Sequence, residues 1–482
     1  MLKKYVNSYK SIPIQARASF WFLVCGILQN GLNIITLPVF TRVLTEEQYG
    51  LSSTFFAWND LLTVVCTLRL SYGVFDKGLL KYGGKRDSFE SSLLGLTTTL
   101  SVIMLALYLL FHDMIQKIFG MSFILCLSLF INQIFAPALL FWTARNKFEY
   151  KYQKFTAVTI VTAIVSTLLN LMAVLTMDYD RGTVKILSYQ LIWCIVYIIF
   201  YVYIFARGKT FYQKDMWAYA LKFNIPLIPY FLSTLILDKA DRIMIDNFCG
   251  KSYVALYSVS YNLGRLMVLL TSALDATITP WMYQKIKEER YDNCKKITTS
   301  ILAVFIIIAT GFMIFAPELV ALFAAPEYKE AVYVIPPVIA SYFFVMLYQV
   351  VAKVEFYYER TKTIASVTLA AAVLDIILNY FAIPKFGYIA AGYTTLISYI
   401  TMALFHMAVS YKLAKEKNIQ NKIFSWGKLL LLGIVMILIT IFVNLLYRWV
   451  ALRFLILAAI IIAAFIFKKK IISILYTLKK RE

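Results

Sequence analysis

The sequence predicts an all-α polytopic membrane protein, and three observations predict it. Of the 482 residues, 61% are hydrophobic and 15% are charged, against roughly 45–50% and 25% in soluble domains. Apolar runs of about twenty residues recur from Ala18 to Phe467 with short polar breaks, each long enough for a helix to cross a hydrocarbon core of about 30 Å. Lysines and arginines collect in alternate breaks, as they do in the cytoplasmic loops of membrane proteins. A soluble globular enzyme is excluded, and no break is long enough to hold a separate catalytic domain.

The runs place about fourteen spans, at 18–40, 49–72, 91–111, 121–143, 155–177, 186–206, 221–246, 252–279, 298–316, 331–352, 363–383, 387–411, 425–446 and 450–467. An even number puts both termini on one side. The loops of that side carry about three times as many lysines and arginines as the others, so both termini are expected in the cytoplasm. The basic start, MLKKYVNSYKSIPIQAR, leads into the first run without a small-residue cleavage site and reads as a retained span. Topology also accounts for the formal charge of +22, which in a soluble chain would suggest nucleic acid. The six cysteines show neither a disulfide framework nor paired metal-ligand spacing.

Spans one to six and seven to twelve read as two halves, 1–210 and 211–417. The turn TEEQYGLSSTF after span one and the turn GKSYVALYSV after span seven lead polar residues and a tyrosine into the next helix at equivalent places. Six-span halves return the chain to its starting side, so an axis along the membrane normal would relate them, with a cavity between. Residues 418–482 add spans thirteen and fourteen as an accessory pair with a basic cytoplasmic tail.

Ionisable side chains near mid-span are the informative positions, because each costs several kcal/mol in hydrocarbon. Three stand out: Asp60, Arg265 and Asp375. In a continuous span eight, Tyr257, Ser258, Tyr261, Ser272 and Asp275 fall near the Arg265 side. That stripe reads as a cavity wall offering a guanidinium to an anionic group such as a phosphate, or as a buried ion pair with Asp60 or Asp375. Asp60 and Asp375 sit among hydroxyls and amides, so either could bind a cation, carry a coupling proton, hold Arg265 or clamp helices. Asp238, Arg242 and Asp246, spaced i, i+4, i+8, fit a self-paired stripe on span seven. Lys353 and Glu355 are expected at an interfacial helix end, and His112 and His406 are too isolated for a metal or catalytic role. Asn30, Asn33, Asn132, Gln133 and Asn170 add hydrogen-bonding capacity deep in the first half, with a kink expected at Pro137. No phosphate loop, nucleophile elbow or HExxH pattern is present.

Three separated segments then become familiar: LPVFTRVLTEEQYG from Leu37, LKFNIPLIP from Leu221 followed by DRIMIDNFCGKSYVALYSVSYN from Asp241, and EFYYERTKTIASVTLAAAVLDIILNYFAIPKFGYIAAGYTTLISY from Glu355. In this order they resemble the polysaccharide repeat-unit flippases, the O-antigen and capsule exporters of the multidrug/oligosaccharidyl-lipid/polysaccharide exporter superfamily. The resemblance covers essentially the whole chain. It implies two six-helix lobes, alternating access and no enzymatic activity. It also implies transport of an undecaprenyl-diphosphate-linked oligosaccharide from the cytoplasmic to the outer leaflet of a bacterial inner membrane.

Such a substrate needs a cation for its diphosphate and hydrogen-bonding groups for its sugars. Arg265, Arg242, Tyr257, Tyr261, Asn30 and Asn33 are the expected binding residues. Asp60, Asp375 and Asp275 are the expected ion-coupling residues, with Na+ or H+ as the coupling ion and no other cofactor. The expected partners are the lipid-linked oligosaccharide, membrane lipids, and a polymerase and glycosyltransferases of the same pathway; the chain is expected to act as a monomer without nucleic acid. The competing readings are a multidrug antiporter of the same fold, a peptidoglycan-precursor flippase, and a membrane glycosyltransferase or polymerase, against which the short outer loops argue.

Overall fold

The structure, a computed structural model, describes residues 13–177 and 179–466. The basic C-terminal tail, the end of span fourteen and most of the basic N-terminus lie outside these residues. Twelve helical segments among the described residues are long and apolar enough to cross a membrane. The two remaining expected spans are helical as well. Glu46–Thr67 has 22 residues, about 33 Å at 1.5 Å per residue, and is less apolar because it carries Asn59, Asp60 and several hydroxyls. Val450–Ile466 is a 17-residue helix.

The chain divides into two compact units between Leu235 and Ile236. The first holds α1 (Ile14–Val43), α2 (Glu46–Thr67), the short α3 (Val74–Lys81), α4 (Arg86–Leu110), the short α5 (His112–Phe119), α6 (Phe123–Phe148), α7 (Tyr152–Thr176), α8 (Arg181–Gly208), α9 (Lys214–Asn224) and the start of α10 (Ile228–Cys249). Thr45 and Gln48 form a capping box that starts α2, with Glu46 and Glu47 complementing the helix dipole. The Gln48 amide also donates to Asp180 Oδ1 at 2.9 Å, and Asp180 caps α8 through Gly182 N, so one carboxylate ties two helix starts.

Helices α4, α6 and α8 pack on one another. Phe75, Phe89, Phe141 and Leu93 fill one core, and Phe55, Tyr108, Leu125 and Phe130 fill another. At one end of these helices Arg145 Nη1 lies 2.5 Å from both Asp87 and Glu90, and Arg145 Nε lies 3.1 Å from Glu149. Arg207 of α8 holds Asp87 from its other side at 2.7 Å. Burial would raise the Glu149 carboxyl, but hydrogen bonds from Lys151 and Arg145 and their charges hold it below its ordinary value.

Span seven is longer than the expected 221–246. It runs from Lys214 to Cys249 as α9, a 3-10 turn at Ile225–Leu227 and α10. Its first half is fastened to unit one: Trp217 Nε1 donates to Ser92 O at 2.8 Å, and Asn224 Nδ2 to Leu68 O at 2.7 Å. The second bond satisfies a carbonyl freed where α2 ends in the left-handed Leu68 and Arg69. Span four remains one helix through Pro137.

The second unit holds the rest of α10, α11 (Lys251–Gly264), α12 (Met267–Lys287), α13 (Cys294–Ile314), the short α14 (Ala316–Phe323), a 3-10 stretch at Pro326–Val334, α15 (Ile335–Tyr357), α16 (Thr361–Phe386), α17 (Ile389–Glu416), the single turn α18 (Gln420–Ile423), α19 (Trp426–Leu446) and α20 (Val450–Ile466). Helix α15 is its axis, packed against α12, α13, α17 and α19 and buried on most of its surface. The accessory pair is anchored by polar bonds to α13 and α14. Arg453 donates to Ile314 O at 3.1 Å and to Glu318 at 2.9 Å, and Tyr447 donates to Met313 O at 2.9 Å.

Gly95 sets how closely α4 approaches the chain after α8, because a Cβ there would lie 2.0 Å from the Phe211 carbonyl oxygen. Gly95→Ala is expected to destabilise the protein by about 1–3 kcal/mol, the usual range for overpacking. Gly26→Ala, which meets nothing within 4 Å, should be neutral; thermal unfolding in detergent compares the two.

Candidate functional site

Four helices of the second unit each place polar residues at three- or four-residue spacing, which stacks them on one face. They are Asp238, Asp241 and Arg242 on α10, Tyr257 and Tyr261 on α11, Asp375 and Asn379 on α16, and Thr394, Thr395 and Ser398 on α17. Their side chains meet in the interior, where Asp241, Asp375, Asn379 and Ser398 have no solvent exposure.

Asp241 is the centre of the inner half. Tyr257 OH donates to Oδ2, Thr395 Oγ1 reaches the same oxygen at 2.9 Å, and Asn379 Nδ2 donates to Oδ1 at 2.7 Å. Asp375 accepts from the same Asn379 amide at 3.3 Å and from Ser398 Oγ at 3.1 Å. Asn379 is itself oriented by Thr394, whose hydroxyl donates to its Oδ1 at 2.5 Å. One amide therefore serves two carboxylates. The hydroxyls add less than their number suggests, since Thr395 and Ser398 also reach their own helix carbonyls at 2.8 and 2.9 Å and a hydroxyl has one hydrogen to give. Two buried carboxylates short of donors form a site that a proton or a hard cation would complete.

The second half surrounds Asp238. Tyr261 OH donates to its Oδ1 at 2.6 Å, and Lys239 Nζ lies 3.5 Å from Oδ2. Arg242 bonds the Asp238 backbone carbonyl at 2.8 Å, with its guanidinium 4.5 Å from the Tyr261 ring centre. The charges of Lys239, Arg265 and Arg242 all act on Asp238. Three basic residues thus act on Asp238, and Arg242 acts on Asp241 as well.

Several expected placements change. Span eight is not continuous: α11 stops at Gly264 and α12 starts at Met267, so a uniform 100° step does not carry Ser272 and Asp275 onto the Arg265 face. Gly264 packs so closely on α15 that a Cβ would lie 2.6 Å from Val338 Cγ1. Beyond it, Leu266, Val268 and Leu269 make three-residue hydrogen bonds. Asp275 meets Lys353 of α15 at 2.5 Å. Lys353 and Glu355 lie near the end of α15, as expected, and are buried by other helices, and His406 is hydrogen-bonded to Glu355 rather than isolated. The expected i, i+4 stripe on α10 is kept between Arg242 and Asp238 and gains cross-helix partners. Arg242 bonds the Asp238 backbone and Asp238 takes Tyr261, while Asp246 lies 3.6 Å from Lys251. Asp375 faces Asn379 and Ser398, not Arg265.

In the first unit, Asn30 and Asn33 are exposed on α1, with the Asn30 amide donating to Gly26 O. Asp60 is half-buried, and its charge acts on Tyr189 and Tyr197 of α8. The deeper amides clamp helices together. Asn132 donates to Gln190 O at 3.2 Å, Gln133 to Thr63 and Asn59 at 3.0 and 3.1 Å, and Asn170 to Ser188 at 2.8 Å.

Tyr257→Phe would leave Asp241 short of its tyrosine donor. It should cost about 1–3 kcal/mol of stability, the penalty for an under-satisfied buried acceptor. Tyr253→Phe, at an exposed position, should leave the melting temperature in place.

Residues 16–286 match the polysaccharide biosynthesis protein family, and residues 226–381 match the MatE family. The chain is 22% identical over 474 residues to an uncharacterized membrane protein of Methanocaldococcus jannaschii, covering 91% of each. In structure it is similar to the lipid II flippase MurJ in an inward closed conformation, with a TM-score of 0.64 and 16% identity over 95% of this chain and 99% of that one. It is also similar to an inward-facing multidrug resistance MATE family transporter, with a TM-score of 0.60 and 13% identity over 83% of this chain and 99% of the other. The chain belongs to the polysaccharide biosynthesis protein family, as a membrane flippase or transporter of the multidrug/oligosaccharidyl-lipid/polysaccharide exporter superfamily.

Proposed function

We propose that the protein moves a polyprenyl-diphosphate-linked oligosaccharide from the cytoplasmic to the outer leaflet by alternating access, driven by a cation gradient. The observation that carries this reading is the cluster of basic residues around Asp238. Lys239, Arg242 and Arg265 all act on that carboxylate within helices that span the membrane. Basic residues at such depth are costly and mark substrate or ion paths, and guanidinium and ammonium groups suit the oxygens of a diphosphate. An exporter of organic cations would gain nothing from them.

The driving ion is assigned to Asp241 and Asp375. Their two carboxylates, with the Thr395 and Ser398 hydroxyl oxygens beside them, offer hard oxygen ligands suited to Na+ or a proton. Ion binding here would alter how α10 is held against α16 and α17, which is the kind of differential contact that couples an ion to a conformational change.

In proteoliposomes carrying a diphosphate-linked polyprenyl oligosaccharide, Arg265→Ala should slow flipping by about tenfold or more, from the loss of charge-assisted hydrogen bonds. Arg265→Lys should retain part of the activity. Full activity in the alanine variant would refute the phosphate role. Lipid II and an organic cation, tried in the same vesicles, distinguish a peptidoglycan-precursor flippase and a multidrug antiporter. Asp241→Asn and Asp375→Asn are expected to abolish the response of flipping to an imposed Na+ or H+ gradient. A response equal to wild type in both variants would remove the coupling assignment.

A further inference from the structure

We propose that Glu355 of α15 and His406 of α17 form a separate proton-binding site inside the second unit, one that lets pH set how firmly these two helices are clamped. It does not depend on which substrate the protein carries.

His406 Nδ1 lies 3.0 and 3.2 Å from the two Glu355 oxygens, and Ser410 Oγ lies 2.9 Å from Oε1. All three residues have no solvent exposure. The Tyr348 ring stacks on the imidazole, with centroids 5.4 Å apart and planes inclined by 23°. Nδ1–H donating to the carboxylate fixes the tautomer and leaves Nε2 as the free lone pair. Nε2 is itself buried and has no hydrogen-bond partner.

That orphaned atom separates the pair from an inert clamp. With neutral imidazole the pair is a hydrogen-bonded unit of net charge −1. When Nε2 takes a proton from a hydronium ion, releasing water, a new N–H bond forms, the imidazole becomes a cation and the pair becomes a neutral ion pair. A net charge is costly in a low-dielectric interior, and the proton belongs to the pair rather than to either residue.

The surrounding helices bring few other ionisable groups to bear. Lys353, two residues before Glu355, is held by Asp275 of α12 at 2.5 Å. Asp375 of α16 is engaged by Asn379 and Ser398. The lysines of α13, α18 and α19 closest to their starts, Lys295, Lys422 and Lys428, are exposed, as is Lys362 of α16. Tyr411 and Lys412, which follow Ser410 on α17, are exposed as well. Helices α15 and α17 have the most extensive packing of any pair in the unit, so a unit change of charge between them acts on its main contact.

The chain has two histidines, which makes the site directly observable. His112, on α5 beside Asp113, has a side chain 46% exposed and provides an internal reference. Isotope-labelled histidine in the full-length protein, reconstituted in nanodiscs, would give two imidazole signals by NMR, with His112→Gln assigning them. Between pH 5 and 9 the His406 signal should change with pH, and the change should differ in Glu355→Gln, where the carboxylate partner is gone. A His406 signal that stays unchanged over this range would overturn the proposal. So would a pH response indifferent to Glu355→Gln. The wild-type titration is decisive by itself if the variant does not fold.

Discussion

A carboxylate inside a membrane-spanning bundle persists only where donors reach it, and the second unit is arranged around that constraint at Asp241. Its donors come from three other helices: Tyr257 from α11, Asn379 from α16 and Thr395 from α17. Moving any one of these helices away from α10 strands a polar group in a medium that cannot solvate it. The network therefore fixes four helices relative to one another more strictly than apolar packing could, because lipid tails compete with leucine and valine but not with a hydrogen bond. Asn379 also makes Asp375 part of the arrangement. Whatever changes the charge of that pair therefore also acts on the packing of the four helices.

The same economy appears elsewhere in different chemistry. In the first unit Arg145 answers two carboxylates on α4 and one just beyond its own helix, while Arg207 shares one of them. Here charge is balanced by charge, and the network holds helix ends rather than a helix interior. Breaking such a buried network by removing one partner is expensive, since the remaining ions keep their desolvation cost. In the second unit the arrangement differs, with three basic residues acting on Asp238 and two carboxylates, Asp241 and Asp375, sharing one amide.

Much of this was legible beforehand, for reasons that are local. Helix number, span positions and loop charge follow from hydropathy and composition, which act residue by residue. Asp60, Arg265 and Asp375 stand out because nothing else explains an ionisable residue at mid-span. The i, i+4 pairing of Asp375 with Asn379 was equally visible. The break after Gly264 was not, because it arises from the close approach of Val338 on a helix more than seventy residues away. The burial of Glu355 and Lys353 was hidden for the same reason. They lie near a helix end in the chain, but other helices cover them, so distance from a helix terminus said nothing about burial.

The sequence by itself determined that this is a many-spanning helical bundle, which end of each helix carries the basic loops, and which polar residues must find internal partners, because bilayer thickness and desolvation apply to each segment independently. Only the tertiary structure decided who those partners are. Asp241 meets Asn379 and Thr395 across 138 and 154 residues of chain, and Glu355 meets His406 across 51. Such pairings depend on the crossing and rotation of whole helices. Many side-chain contacts set those together, and no local pattern records them.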